Sequence, residues 1–221
     1  MPDLTFVIES ATPVAFAVSP QIALAVRVVN AHPEEAVHSA LLRCQIQIDA
    51  AARRYDARES DSMSDLFGDA SIFGRAVKRL MWAQATAVVP PFTHEGAFEV
   101  HVPCTFDMCI STAKYFRALV EGGAPVVVLF TGTVFHRDIA GALRASPVPW
   151  SAEARFTIPA HVWHDALDDH YAGIAPVPVR RDLFERLDRY RRENSLPSWD
   201  AVIDRLLPGE VGQADRGKGV S

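Results

Sequence analysis

Residues 21–30, QIALAVRVVN, place Ile22, Leu24, Val26 and Val28 on one parity and Gln21, Ala23, Ala25 and Arg27 on the other. Successive side chains of a strand point to opposite faces, so a period of two predicts a strand with one face buried. LTFVIES before it and AVHSALLRCQIQIDA after it have the same strand character. The connections ATPVAFAVSP and NAHPEEA hold the Pro, Asn and Glu residues of turns between antiparallel strands. RRYDARESDSMSDLFGDASIFGR then breaks the pattern with charges of both signs and scattered glycines, which predicts a polar, partly helical excursion over about residues 50–80. Strand character resumes in LMWAQATAVV, FEVHVPCTFDMCI, PVVVLFTGTVFHR, ALRASPVPW and ARFTI. Between two of these, AKYFRALVEGG reads as a short amphipathic helix closed by Gly122 and Gly123. Short strands without βαβ alternation predict an α+β fold whose residues 1–158 form an antiparallel, immunoglobulin-like β-sandwich. Strand order, and the choice between a closed sandwich and a more open curved sheet, stay open at this level.

From Pro159 the text turns helical, and residues 159–207 are expected to form a C-terminal helical region, with 208–221 a disordered tail. AHVWHDALDDHYAG is its first helix. In RRDLFERLDRYRRENSLPSWDAVIDRLL, Asp182 can cap a helix with Leu183, Phe184, Leu187 and Tyr190 on one stripe. Ser198 can cap a second, with Trp199, Val202, Ile203, Leu206 and Leu207 on one stripe. Residues 176–207 therefore have the order of a ribbon-helix-helix DNA-binding unit, and a DNA-binding regulator is one alternative reading. Pro176 and Pro178 remove N–H groups that a paired ribbon needs. Between residues 177 and 207 seven arginines face six acidic residues, a near balance that leaves little charge for phosphate. A hairpin packed on protein is the favoured expectation.

The 221-residue chain carries a net charge of −5 and three cysteines, an odd number. With an N-terminus lacking a basic leader, this is the usage of a reducing, cytoplasmic compartment, and no apolar run reaches the length of a membrane span. Cys44 reads as a core residue, and Cys104 and Cys109 in an extended CTFDMCI would point to opposite faces. His161 with Asp165, and His164 with Asp168, are four apart and could share a helix face, so a small metal-dependent enzyme centred on His161, His164 and Asp168 is a second alternative. Neither pair matches a metalloprotease signature. Phosphate-loop, dinucleotide, nucleophile-elbow and zinc-ribbon motifs are lacking, so no catalytic, cofactor-binding or metal residue is assigned and no cofactor is expected. Arg75, Lys78 and Arg79 form a small basic cluster that reads as one solvated helical face. Trp82, Phe92, Phe98, Phe106, Tyr115, Phe116, Phe130, Phe135 and Trp150 are expected mostly in the core.

LRCQIQID, SDLFG, VVPPFT, VPCTFD, AKYFRAL, LFTGTVF, PVPW and RRDLFERLDRYR, in this order over residues 1–207, resemble a bacterial family of unknown function. Genes of that family often lie among nickel–iron hydrogenase structural and maturation genes. The resemblance implies a cytoplasmic accessory protein that assists assembly, maturation or regulation of a hydrogenase by contact with a hydrogenase subunit or maturation factor. It carries no site residues with it, and it argues against a shared metal or redox role for Cys109, His161 and His164. A non-enzymatic binding protein is thus the leading expectation, with nucleic acid disfavoured as partner.

Overall fold

In a computed structural model of the chain, which describes residues 2–63, 66, 79–104, 110–171, 177 and 179–207, the predicted strands pair into two antiparallel sheets. The first joins β1 (Leu4–Pro13), β2 (Gln21–Asn30) and β5 (Glu95–Pro103) in the order β1-β2-β5. The second has β3 (Val37–Ile48) at its centre, flanked by β4 (Leu80–Val89) and the 15-residue β6 (Gly123–Arg137). β6 serves two partners in succession. Its first half pairs with β8 (Glu153–Pro159), from Gly123 opposite Pro159 to Leu129 opposite Glu153. Its second half pairs with β7 (Leu143–Pro147), from Thr133 opposite Pro147 to Arg137 opposite Leu143. β1-β2-β5 facing β4-β3-β6-β7 is the order in which immunoglobulin-type sandwiches set strands A-B-E against C′-C-F-G. The fold is thus an α+β antiparallel sandwich, with β8 as an added strand.

The two inner faces supply the core. Ile22, Leu24, Val26 and Val28 of β2 are buried, as their parity predicts, and so are Leu42, Cys44, Ile46 and Ile48 of β3. Phe6 stacks on Phe130 across the sandwich with centroids 4.3 Å apart, and Phe98 meets Phe6 edge-on at 6.3 Å. Gly132 stands where β6 passes from one partner to the other, at φ +148°. A β-carbon there would collide with the Leu41 carbonyl oxygen, so this close backbone approach admits only glycine.

Of the excursion after β3, a 3₁₀ turn (Ala50–Ala52) and α1 (Ala57–Ser62) are described; most of residues 64–78, including Arg75 and Lys78, lie outside the described residues. Asp56 closes a capping box with Glu59. Glu59, 3% exposed, takes the Arg53 guanidinium at 2.6 Å and the Val120 amide at 3.1 Å. Arg53 in turn donates to the Glu121 and Gly123 carbonyls at 2.9 and 3.1 Å, so one buried pair ties α1 to the turn ahead of β6.

α2 (Ile110–Ala118) and α3 (Ala160–Tyr171) are the predicted helices after β5 and β8. Phe116 of α2 stacks on Trp163 of α3 at 5.2 Å and 4°, and Trp82 of β4 packs on Phe116 at 5.1 Å. The sequence reading groups α3 with the C-terminal helices. In the structure it belongs to the first of two compact units, Met1–Ile174, because Val162, Trp163, Ala166 and Leu167 are buried in the sandwich core. β5 ends at Pro103 and not within FDMCI, and residues 105–109 lie outside the described residues. Phe135 and Trp150 depart from the expected aromatic core, Trp150 being almost wholly exposed.

The second unit, Ala175–Ser221, contains α4 (Arg181–Glu193) and α5 (Trp199–Leu206). Ser198 caps α5, its Oγ accepting from the Ala201 amide at 3.2 Å, as predicted. Asp182 lies in the first turn of α4, whose cap position is Arg180, and it meets the Arg180 guanidinium at 3.3 Å. Ser195 takes φ +51° and turns the chain out of α4, where the Leu196 amide bonds back to the Arg191 carbonyl at 3.0 Å. The expected tail, residues 208–221, lies outside the described residues.

Candidate functional site

Both C-terminal helices carry an apolar stripe at three- and four-residue spacing, and little of it is covered. α4 has no buried residue, and in α5 only Val202 is buried. Leu183, Phe184, Trp199, Ile203, Leu206 and Leu207 are all exposed. Phe184 and Trp199 touch across the hairpin at 5.2 Å, and the Arg191 guanidinium lies 5.2 Å over the Trp199 ring. Asp188 holds Arg191 and Arg192 at 3.1 and 3.2 Å, so part of the basic charge is neutralised within the helix. A helical pair this short cannot build a core of its own, and its stripe is stable only against another surface. Of the ribbon preceding it, IAPVPVRR over residues 174–181, residues 174–176 and 178 lie outside the described residues; Val177, Val179 and Arg180 belong to no strand, and Arg181 opens α4.

The histidine and carboxylate pairs of α3 stay on the helix surface. His161, Asp165 and Asp168 are exposed and His164 is half-buried with its ring edge-on to Trp163. Among the described residues no group of three or more His, Cys, Asp or Glu side chains is placed to hold a metal ion. Cys44 and Cys104 are both buried, and burial pushes each thiol up to about 12. Cys109 lies outside the described residues. Arg79 reaches Asp49 at 3.9 Å, and Arg155 approaches the same carboxylate at 3.6 Å beside a shallow cleft of about 290 Å³.

One polar group at an end of the sandwich escapes sequence reasoning. His136 of β6 is 4% exposed, its Nε2 3.0 Å from Ser146 Oγ and its Nδ1 3.5 Å from Glu35 Oε2. The order hydroxyl, imidazole, carboxylate is that of a nucleophilic triad. Its surroundings are those of a latch. His136 shares the inner face with buried Val134, and none of the three residues lines the neighbouring cleft formed by His38, Phe92, Thr93 and Arg137 among others. Buried Asn30 holds the same connection from the other side, donating to the carbonyls of His32, Glu35 and Thr93 at 2.9 to 3.2 Å. Nothing in the spacing of Glu35, His136 and Ser146 signals this meeting, since only the pairing of β3, β6 and β7 brings them together.

The family model described as "Family of unknown function (DUF6084)" matches residues 1–215. The chain belongs to this family. No curated protein matches it. Among solved structures, IrmA from Escherichia coli is similar at 8% identity and TM-score 0.32, over 67% of this chain and 87% of that one. AggA, the major subunit of aggregative adherence fimbriae type I from Escherichia coli, is similar at 10% identity and TM-score 0.23, over 72% and 94%. β-Glucosidase 3B from Thermotoga neapolitana, in complex with α-D-glucose, is similar at 11% identity and TM-score 0.25 over 71% of this chain, which spans 17% of that enzyme. No helix described in this DUF6084 chain is long and apolar enough to cross a membrane.

Proposed function

We propose that the chain is a non-enzymatic accessory protein that binds another protein through the apolar face of α4–α5. The observation that carries this reading is the exposed stripe of Leu183, Phe184, Trp199 and Ile203 on a hairpin with one buried residue. Amphipathic helices meet partners through such i, i+3, i+4 anchors, with Trp and Phe supplying most of the energy. The partner is a nickel–iron hydrogenase subunit or maturation factor, the context that the sequence resemblance implies. Its compartment is the cytoplasm, in keeping with the cysteine usage.

The test is purification of the tagged full chain from its own host at low salt, with co-purifying proteins identified by mass spectrometry. A hydrogenase subunit or maturation factor is expected in the eluate, and Phe184→Asp should weaken its retention about 30-fold, or about 2 kcal/mol. Separate elution of this protein from every hydrogenase component sinks the reading. Specific promoter DNA in the eluate without any such component assigns the hairpin to DNA instead.

A further inference from the structure

Arg43 of β3 stands on the outer face of the second sheet, its chain neighbours Leu42 and Cys44 being buried on the inner one. The register puts Thr86 of β4 and Thr131 of β6 directly beside it, and Leu41 and Gln45 come next along its own strand. The diagonal positions, Val88, Gln84, Thr133 and Leu129, are uncharged as well. Arg43 is exposed, and among the described residues no carboxylate pairs with its guanidinium. Leu41 and Val88 lie opposite each other at 56 and 67% exposure, so the ground on one side of the charge is apolar.

The outer face of the first sheet is built differently. There Arg27 of β2 lies 2.6 Å from Glu9 and 3.7 Å from Glu95, and His101 of β5 lies 3.2 Å from Glu99. Interspersed charges of both signs belong to a face turned to water. Neutral side chains around a lone arginine are the composition of an interface core, which is depleted of other charges. Three strands over the length of residues 39–47 present about 400 Å² of flat face, about half of one side of a standard protein interface, so the margins are left to supply a rim.

The lone cation selects the occupant. A second copy packed through this face would offer each Arg43 uncharged residues, since Glu153 at its margin is already held by Arg155 at 3.0 Å, and a charge buried without a counter-charge is strongly unfavourable. One arginine is too little to hold nucleic acid or an anionic bilayer. A protein surface with an apolar patch and one carboxylate suits both the neutral ring and the guanidinium, which takes a carboxylate through two parallel N–H···O bonds. We propose that the outer face of β4-β3-β6 docks a protein partner that presents an Asp or Glu to Arg43. The proposal rests on the reading of the chain as a binding protein and adds a surface on the sandwich to that of α4–α5.

The experiment places the photo-crosslinking analogue p-benzoylphenylalanine at position 88 of the full chain in its host, with position 199 in parallel and position 99, on the other sheet, as control. The expected result is an adduct to one protein, mapped by peptide sequencing to an apolar segment containing Asp or Glu, and not formed from position 99. Arg43→Glu should lower its yield at least tenfold with a melting temperature within about 2 °C of the parent's, because no neighbour depends on the charge. Exchanging the partner's carboxylate for lysine should restore the yield with Arg43→Glu. Adducts only with lipid, nucleic acid or a second copy of this chain, a pattern shared with position 99, a mapped segment without a carboxylate, or undiminished yield with Arg43→Glu each overturn the proposal. Adducts from position 199 without any from position 88 overturn this face and leave the proposed function standing; the reverse leaves this face standing and removes α4–α5; none from either position overturns both.

Discussion

Gly132 has room for a hydrogen and nothing larger, because its backbone crosses the Leu41 carbonyl at a positive φ. Gly132→Ala is expected to lose about 3 kcal/mol or more in urea unfolding, through clash and strain together. A loss under about 1 kcal/mol would mean that β3 and β6 can part there at little cost. Phe6, stacked between the sheets on Phe130, should lose about 3–5 kcal/mol as Phe6→Ala. The thiols of Cys44 and Cys104 give a chemical check on burial. With both pushed up to about 12, the thiolate is scarce at pH 8, and neither should be alkylated by iodoacetamide until the chain unfolds, as peptide mass spectrometry can read. Rapid native alkylation at either position would contradict the packing of β3 or the end of β5. Core placement of Cys44 is legible in LLRCQIQI from the alternation alone. The exposure of Trp150 is not, since an aromatic in a connection has no periodicity to reveal which way it turns.

At the scale of single elements, α1 is held by charge more than by area. Glu59→Gln removes the ionic half of a nearly buried pair and leaves Arg53 facing carbonyls, so a loss of about 3 kcal/mol is expected. Denaturant unfolding checks it, and an unchanged midpoint would reduce the clasp to a surface pair. The β6–β7 turn carries a pH dependence of its own. Asp138 accepts from Arg144 Nε at 3.0 Å and from the Ala142 amide at 2.9 Å, and these bonds, the arginine's first, hold its carboxyl below the ordinary 3.8. A depressed carboxylate stabilises the turn fully above the ordinary pKa, and that contribution fades as pH falls through the depressed folded value. The Ala142 amide resonance should therefore titrate with a midpoint below 3.8. A midpoint at or above it would show that the turn does not select the charged form. The turn residues themselves are legible as a break between strands; the Asp138–Arg144 pairing follows only from the register of β6 with β7.

Across the whole molecule, every described core residue but Val202 lies in the first unit. A chain ending at residue 174 is expected to unfold in one cooperative transition with a midpoint within about 4 °C of the full chain in calorimetry, because the core that sets it is retained. A broad, low transition would assign part of that stability to residues 175–221. α3 illustrates the limit of pattern at this scale. Its stripe of Val162, Trp163, Ala166 and Leu167 is visible in the text, yet the text groups it with the helices that follow rather than with the sandwich that buries it.

Alternation in β1 to β3, turn residues between strands and the stripes of α3, α4 and α5 were written locally, because each depends on side-chain spacing within one segment. They sufficed for an antiparallel α+β fold with a helical C-terminus, and left open whether its strands close into a sandwich. Tertiary structure alone decided that β6 pairs with both β7 and β8, that Glu35, His136 and Ser146 meet, and that Arg43 stands among uncharged neighbours. Those features rest on hydrogen bonds between segments far apart in the chain. Such bonds join backbone groups that every residue carries alike, and so they leave almost no mark on which residues stand there.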